Sequence, residues 1–156
     1  EKTLPLGEAG ELLVRGCLTF KEYWNNPEAT RKTIVDGWVH TGDVGKRDKE
    51  GYVYILDRMK DMINRGGEKI WSLEVENVLY RNPKILEAAA VGVPDTIFGE
   101  EVKAVIVLKP DAKATPEEVQ EFCGRLLAKY KVPKFVEFRE TLPRNPAGKV
   151  IKGELK

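Results

Sequence analysis

ILEAAAVGVP (residues 85–94) and EEVKAVIVLK (100–109) are short apolar runs set close together in the chain. Each is bounded by turn-forming residues, the pattern of two buried strands with a Pro-Asp and Gly turn between them. Working outward, SLEVENVLYRN (72–82) reads as a helix: Ser72 can cap it, and Glu74 and Glu76 suit its positive end. Downstream, TPEEVQEFCGRLLAKYK (115–131) reads as the clearest helix of the chain. Thr115 and Glu118 have the capping-box spacing, Pro116 takes the first helical position, and Val119, Phe122, Leu126, Leu127 and Tyr130 form one apolar stripe. KFVEFR (134–139) alternates as a strand does. The order helix–strand–strand–helix–strand predicts a small α+β domain over residues 58–156, with a three-stranded sheet and flanking helices. About a hundred residues is enough for an independent core.

Residues 1–57 read differently. ELLVRG (11–16) and GYVYILD (51–57) predict strands, and a short helix is expected from Pro27 with Asn26 as its cap. Gly37, Gly42 and Gly45 are expected at turns. So few strands, with so little helix to cover them, are marginal in water alone. Residues 1–57 are therefore expected to be the last, β-rich part of a larger N-terminal domain, with the boundary near LDRMKDMI. The chain also begins without Met, as a segment of a longer protein does.

Composition sets outer bounds. In 156 residues the apolar share is 42% and the charged share 33%, which is globular and not disordered. Net charge is +1, with 8 Lys/Arg against 10 Asp/Glu in residues 1–57 and 18 against 15 in the remainder. That basic tilt suits a phosphate-bearing small molecule and is too weak for a nucleic-acid surface. No apolar run is long enough to span a bilayer. Cys17 and Cys123 lie far apart in no metal-ligand spacing, which fits reduced thiols and a cytoplasmic setting.

Four clusters carry the chemically interesting residues: HTGDVG (40–45), DRMKDMINRGGEKIW (57–71), GVPDTIFGEE (92–101) and PRNPAGK (143–149). Singly, each has an ordinary explanation. An Asp between glycines serves a turn, Gly66-Gly67 makes a tight loop, and PAGK lacks the upstream glycine of a phosphate-binding P-loop. His40 is the sole histidine and has no triad or ligand spacing, and no metal site is expected.

Together and in this order they resemble the C-terminal portion of the acyl-adenylate-forming family: acyl-CoA synthetases, peptide-synthetase adenylation domains and firefly luciferase. GELLVRG, KEYWNNPEAT, GWVHTGD, GYVYILDRMKDMINRGGEKIWSLEVENVL, AAVGVPDTIFGEEVKAVIVL, LAKYKVPKFVEF and LPRNPAGKVIK carry the likeness across nearly the whole chain. The resemblance implies an ATP-dependent acid–thiol ligase working in two half-reactions. A carboxylate first attacks the α-phosphate of ATP to give acyl-AMP and pyrophosphate, and a thiol then displaces AMP. It implies ATP, coenzyme A and a small carboxylic acid as partners, with Mg2+ accompanying the ATP and no nucleic acid. A carrier-protein phosphopantetheine as acceptor, or a folded module without chemistry of its own, are the alternatives. By position, Lys149 matches the catalytic lysine, Asp43 the acid that takes both ribose hydroxyls, and Arg58 a second nucleotide contact. Lys60 matches the hinge, where many relatives have Asp. Gly66 and Gly67 match the loop that lines the pantetheine path, with Asn64, Lys69 and Trp71 beside it. Arg65, Lys69, Lys103 and Lys134 are candidates for the CoA phosphates. The family's ATP phosphate loop and acyl pocket belong to its large N-terminal domain, so the chain alone is expected to be inactive.

Overall fold

The computed structural model describes residues 2–156, which form two compact units, one ending at Lys60 and the other running Asp61–Lys156. In the first unit, β1 (Gly10–Val14), a helix α1 (Pro27–Thr33), β2 (Ile34–Val35), β3 (Trp38–Arg47) and β4 (Val53–Arg58) follow in order. Asn26 caps α1 as expected, accepting a hydrogen bond from the Ala29 amide at 3.0 Å. The long β3 is the spine of an all-antiparallel sheet: β1 pairs with it, as do β2 and β4. Gly42 and Gly45, expected at turns, lie within β3. There the β1–β3 and β3–β4 registers each slip, so the glycines serve irregularities inside a strand, not its ends. Among the described residues of this unit, the buried apolar side chains are Val39 and Val44.

A 3-10 turn, Met59–Asp61, leads into β5 (Ile63–Arg65), β6 (Glu68–Ile70), the helix α2 (Ser72–Leu79), β7 (Ile85–Asp95), β8 (Gly99–Leu108), the helix α3 (Pro116–Gly124) and β9 (Phe135–Phe138). The three expected strands are present: β7 and β8 form a long antiparallel hairpin, and β9 runs parallel to β8 after the α3 crossover. The short β5–β6 hairpin widens the sheet to five strands in the order β6-β5-β8-β7, with β9 also on β8. Pro94 is accommodated because β7 is an edge strand and Pro94 sits near its end.

Alternation along β7 and β8 sorts their side chains into two cores. Ala88, Ala90, Val102, Ala104 and Ile106 face α2 and α3 and join Val75, Leu79, Val119 and Cys123. Ala89, Val91, Val105 and Val107 face the other way, where Leu142 and Leu155 of the C-terminal tail cover them. The two-sided burial explains why these strands read as continuous apolar runs.

Two helix expectations need correction. Ser72 does not cap α2: Trp71 holds the cap position without a side-chain bond, and Ser72 is fully buried inside the helix. The hydroxyl accepts from Lys152, eighty residues away, so a tertiary contact takes the place of a local cap. The second helix keeps its capping box, Thr115 with Glu118, but ends at Gly124 instead of near residue 131. Gly124 is a weak helix former and Pro133 forbids continuation, so residues 125–132 fold back through a 3-10 turn, Lys129–Lys131. Phe122, Leu127 and Tyr130 still pack against the first core from this bent path, whereas Leu126 is left exposed. Among the described residues no helix is long and apolar enough to cross a membrane.

Candidate active site

Asp43 lies on β3 directly opposite Arg58 on β4, and Arg58 Nε donates to Asp43 Oδ1 at 3.0 Å. Arg58 Nη2 also reaches the Thr41 carbonyl at 3.4 Å. Both side chains remain well exposed. Positive φ at Gly42 (71°) turns the strand so that Thr41 Oγ1 can accept from the Asp43 amide while donating to the Leu12 carbonyl. Glu11 on β1 braces the same bend: Oε1 accepts from the Gly42 amide at 3.0 Å, and Oε2 lies 2.8 Å from His40 Nδ1. The sole histidine is thus engaged by Glu11, and Trp38 lies under the Arg15 guanidinium.

Gly66 and Gly67 are the two-residue turn of the β5–β6 hairpin, both with positive φ (59° and 94°), as a primed turn requires. Asn64 Oδ1 accepts from the Gly67 amide at 3.1 Å, which assigns Asn64 to closing the turn. The hairpin is tied to the β7–β8 connection and the start of β8 at three points. Glu100 accepts from the Asn64 amide at 2.7 Å, the Gly66 amide donates to the Phe98 carbonyl at 2.8 Å, and Arg65 pairs with buried Glu101 at 2.7 Å. The Arg65 guanidinium also stacks on Phe98, 3.8 Å from the ring centre. Its hydrogen bond to Glu101 holds the guanidinium pKa above its usual value. Lys103 pairs with Glu137 and Lys134 with Asp95, so three of the four cations considered for CoA phosphates already hold acidic partners. Lys69 is exposed on β6 and has no such partner among the described residues. Trp71 is half-buried at the start of α2.

Lys149 sits on a turn closed by its own backbone. Asn145 Oδ1 accepts from the Ala147 and Lys149 amides, the Asn145 amide donates to the Lys149 carbonyl, and Gly148 has φ 80°. Arg144 donates to the Gly148 carbonyl at 2.6 Å and to Glu87 of β7 at 2.8 Å, fastening the turn to the sheet. The Lys149 side chain is exposed, and its ammonium makes no ion pair or hydrogen bond among the described residues. The Lys149 turn is anchored at Glu87 and the glycine turn at Glu101, which pairs with Val93. Six residues of strand separate those anchors, about 20 Å at ~3.3 Å per residue.

Asp43 and Arg58 are thus brought together, as are Asn64, Gly66, Gly67, Lys69 and Trp71, while Lys149 stands on a turn of its own. The bracing residues Glu11, Glu100, Glu101 and Arg144 lie within the quoted motifs, but the sequence alone assigns them no role, because their partners are distant in the chain.

Comparison with known proteins gives these residues a context. Residues 74–149 match the AMP-binding enzyme C-terminal domain. A crotonobetaine/carnitine–CoA ligase of Shigella dysenteriae is 46% identical over 99% of this chain and 31% of its own length. The o-succinylbenzoate CoA synthetase of Bacillus subtilis, solved with an acyl-adenylate intermediate, superposes with a TM-score of 0.92 at 37% identity over 98% of this chain and 31% of that one. The amide bond synthetase of Marinactinospora thermotolerans superposes with a TM-score of 0.91 at 39% identity, over 99% and 32%. The chain spans about a third of the length of these relatives. Residues 74–149 thus match the AMP-binding enzyme C-terminal domain, and nearly the whole chain is similar in sequence and fold to part of a CoA ligase and of an acyl-adenylate-forming CoA synthetase.

Proposed function

We propose that this chain is the C-terminal part of an ATP-dependent carboxylic acid–CoA ligase. Residues 1–57 are the last portion of the large ATP- and acyl-binding domain, in keeping with their thin core, and residues 58–156 are its mobile partner. The observation that carries this reading is Lys149, whose ammonium has no partner among the described residues and whose turn is braced from both its own backbone and β7. When carboxylate and α-phosphate approach, negative charge accumulates on the transferring oxygens, and a fixed cation there lowers the barrier. A lysine suits the task as a compact point charge that domain rotation can deliver and withdraw.

In the same reading Asp43 takes the ribose hydroxyls. Arg58 engages Oδ1, which fixes the carboxylate while Oδ2 faces the diol, and the guanidinium itself serves as a nucleotide contact. Lys60 is the hinge, a role supported by the division of the chain between Lys60 and Asp61. Gly66 and Gly67, without Cβ atoms, line the pantetheine path, with Trp71 beside them and Lys69 as the cation for a CoA phosphate. The distance between the anchors of the two turns suits their use one after the other. Mg2+, expected with the nucleotide, finds no acidic cluster to hold it among the described residues. Free Cys17 and Cys123 fit a cytoplasmic setting.

The test is acid-dependent pyrophosphate exchange and CoA-dependent AMP release by the full-length enzyme against a panel of carboxylic acids. Lys149→Ala should lower exchange by about a hundredfold or more, while thioester still forms from supplied acyl-AMP. Equal loss of both half-reactions would sink the alternating use of the two turns. Exchange followed by amide formation with an added amine, and no thioester with CoA, would point instead to the chemistry named for the Marinactinospora relative.

A further inference from the structure

We infer that Lys152 is a positioning residue for Lys149, holding the catalytic turn in register through a buried charge cluster. The inference rests on the reading of Lys149 given above. Lys152 Nζ donates to Ser72 Oγ at 2.6 Å and meets Glu76 Oε1 at 2.7 Å. Its side chain is 19% exposed and that of Glu76 is 11% exposed, while Ser72 is fully buried. The same Glu76 oxygen accepts from the Ala90 amide of β7 at 2.9 Å. One ammonium therefore joins the tail to α2 and, through Glu76, to the central sheet.

The tail is already covered by apolar contacts, with Leu155 fully buried and Val150 packed beside the second core. Holding the tail in place does not require a lysine. Taking an ammonium out of water is costly unless its partner and geometry are well set, so the cluster selects one arrangement of the tail. Only two residues stand between Lys149 and Lys152, so the chain separates their Cα atoms by at most about 11 Å. A shift of Lys152 then passes directly to Lys149. The upstream brace, Arg144 with Glu87, is more exposed on both sides (42% and 32%), and exposed pairs hold position weakly. Of the two braces, the buried one has more authority over where the turn sits.

The experiment uses the full-length enzyme with three readouts: acid-dependent pyrophosphate exchange, thioester formation from supplied acyl-AMP, and the melting temperature. Lys152→Met is expected to lower exchange by roughly 10–100-fold, the scale of a displacement near 1 Å, and to leave thioester formation within a few-fold of wild type. Lys152→Arg, which keeps the charge, should recover most of the exchange. Val119→Ala, which opens the first core on α3, away from the tail, serves as the control of comparable stability loss and should spare exchange. If Lys152→Met does not fold, Glu76→Gln, which keeps hydrogen bonding and removes the charge, must show the same selective loss. Wild-type exchange in Lys152→Met or Glu76→Gln, loss no greater than in Val119→Ala, or equal loss of both half-reactions overturns the inference while Lys149→Ala remains inactive in exchange. Undiminished exchange in Lys149→Ala overturns the reading of Lys149, and this inference with it.

Discussion

Asp95 closes the β7–β8 connection with a single carboxylate. Oδ1 accepts from the amides of Ile97 and Phe98 at 2.9 and 3.0 Å, and Oδ2 accepts from Lys134 at 2.7 Å. The Lys134 hydrogen bond foremost, then the Phe98 and Ile97 amides, pull its pKa down to about 2. An unstructured Asp titrates near 3.9, so the folded pKa is the depressed one. The stabilisation is therefore complete above about pH 4 and is lost as pH falls through about 2. Asp95→Asn should lower the urea midpoint by a constant amount from pH 7 to pH 5, and the gap should shrink below about pH 4 to a small remnant at pH 2. A gap undiminished at pH 2 would mean that shape, and not the ionised carboxylate, holds the turn. The same ion pair shows the limit of reading charges from sequence. Lys134 and Arg65 look like free cations beside a phosphate site, but each is matched by an acid more than thirty residues away. Asp43 and Arg58 could be marked by their motifs, yet Glu11, which bends the strand beneath them, lies on another strand and leaves no local sign.

The β5–β6 hairpin is a case where short elements hide. Its strands are three residues each, too short to display alternation, so RGG reads only as a glycine loop. The long β7 and β8 were legible because ten residues of two-sided burial leave an unbroken apolar record. The ends of α2 and α3 were not, since Ser72 answers to Lys152 and the apolar stripe of α3 continues through residues that pack without being helical. Gly66 tests what the hairpin does. Its φ of 59° is left-handed, and an added Cβ would meet the Phe98 ring at 3.1 Å, beneath the Arg65 guanidinium. Gly66→Ala should cost about 1–2 kcal/mol from the backbone alone, read as a lower denaturation midpoint. In the full-length enzyme, thioester formation from acyl-AMP should slow while pyrophosphate exchange stays near wild type. Slowed exchange with normal thioester formation would assign the hairpin to the wrong half-reaction.

The two units differ in how much apolar surface each buries. Asp61–Lys156 has one core beneath α2 and α3 and a second beneath the C-terminal tail, both built on β7 and β8. The unit that ends at Lys60 buries Val39 and Val44, while Trp24, Tyr52, Val53, Tyr54 and Ile55 stay exposed. Hydrophobic burial is the dominant favourable contribution to folding, and backbone ordering opposes it in proportion to length. The second unit should therefore fold by itself, and the first should not. Residues 61–156 expressed alone are expected to unfold in one cooperative step, with a urea m-value of about 1–3 kcal/mol/M. Residues 1–60 alone should show no such transition. Loss of the transition in 61–156, with its return when residues 1–60 are restored, would make the first unit part of the second unit's core. That outcome would also weigh against Lys60 as a hinge, because a segment needed for the folding of its neighbour cannot rotate freely against it.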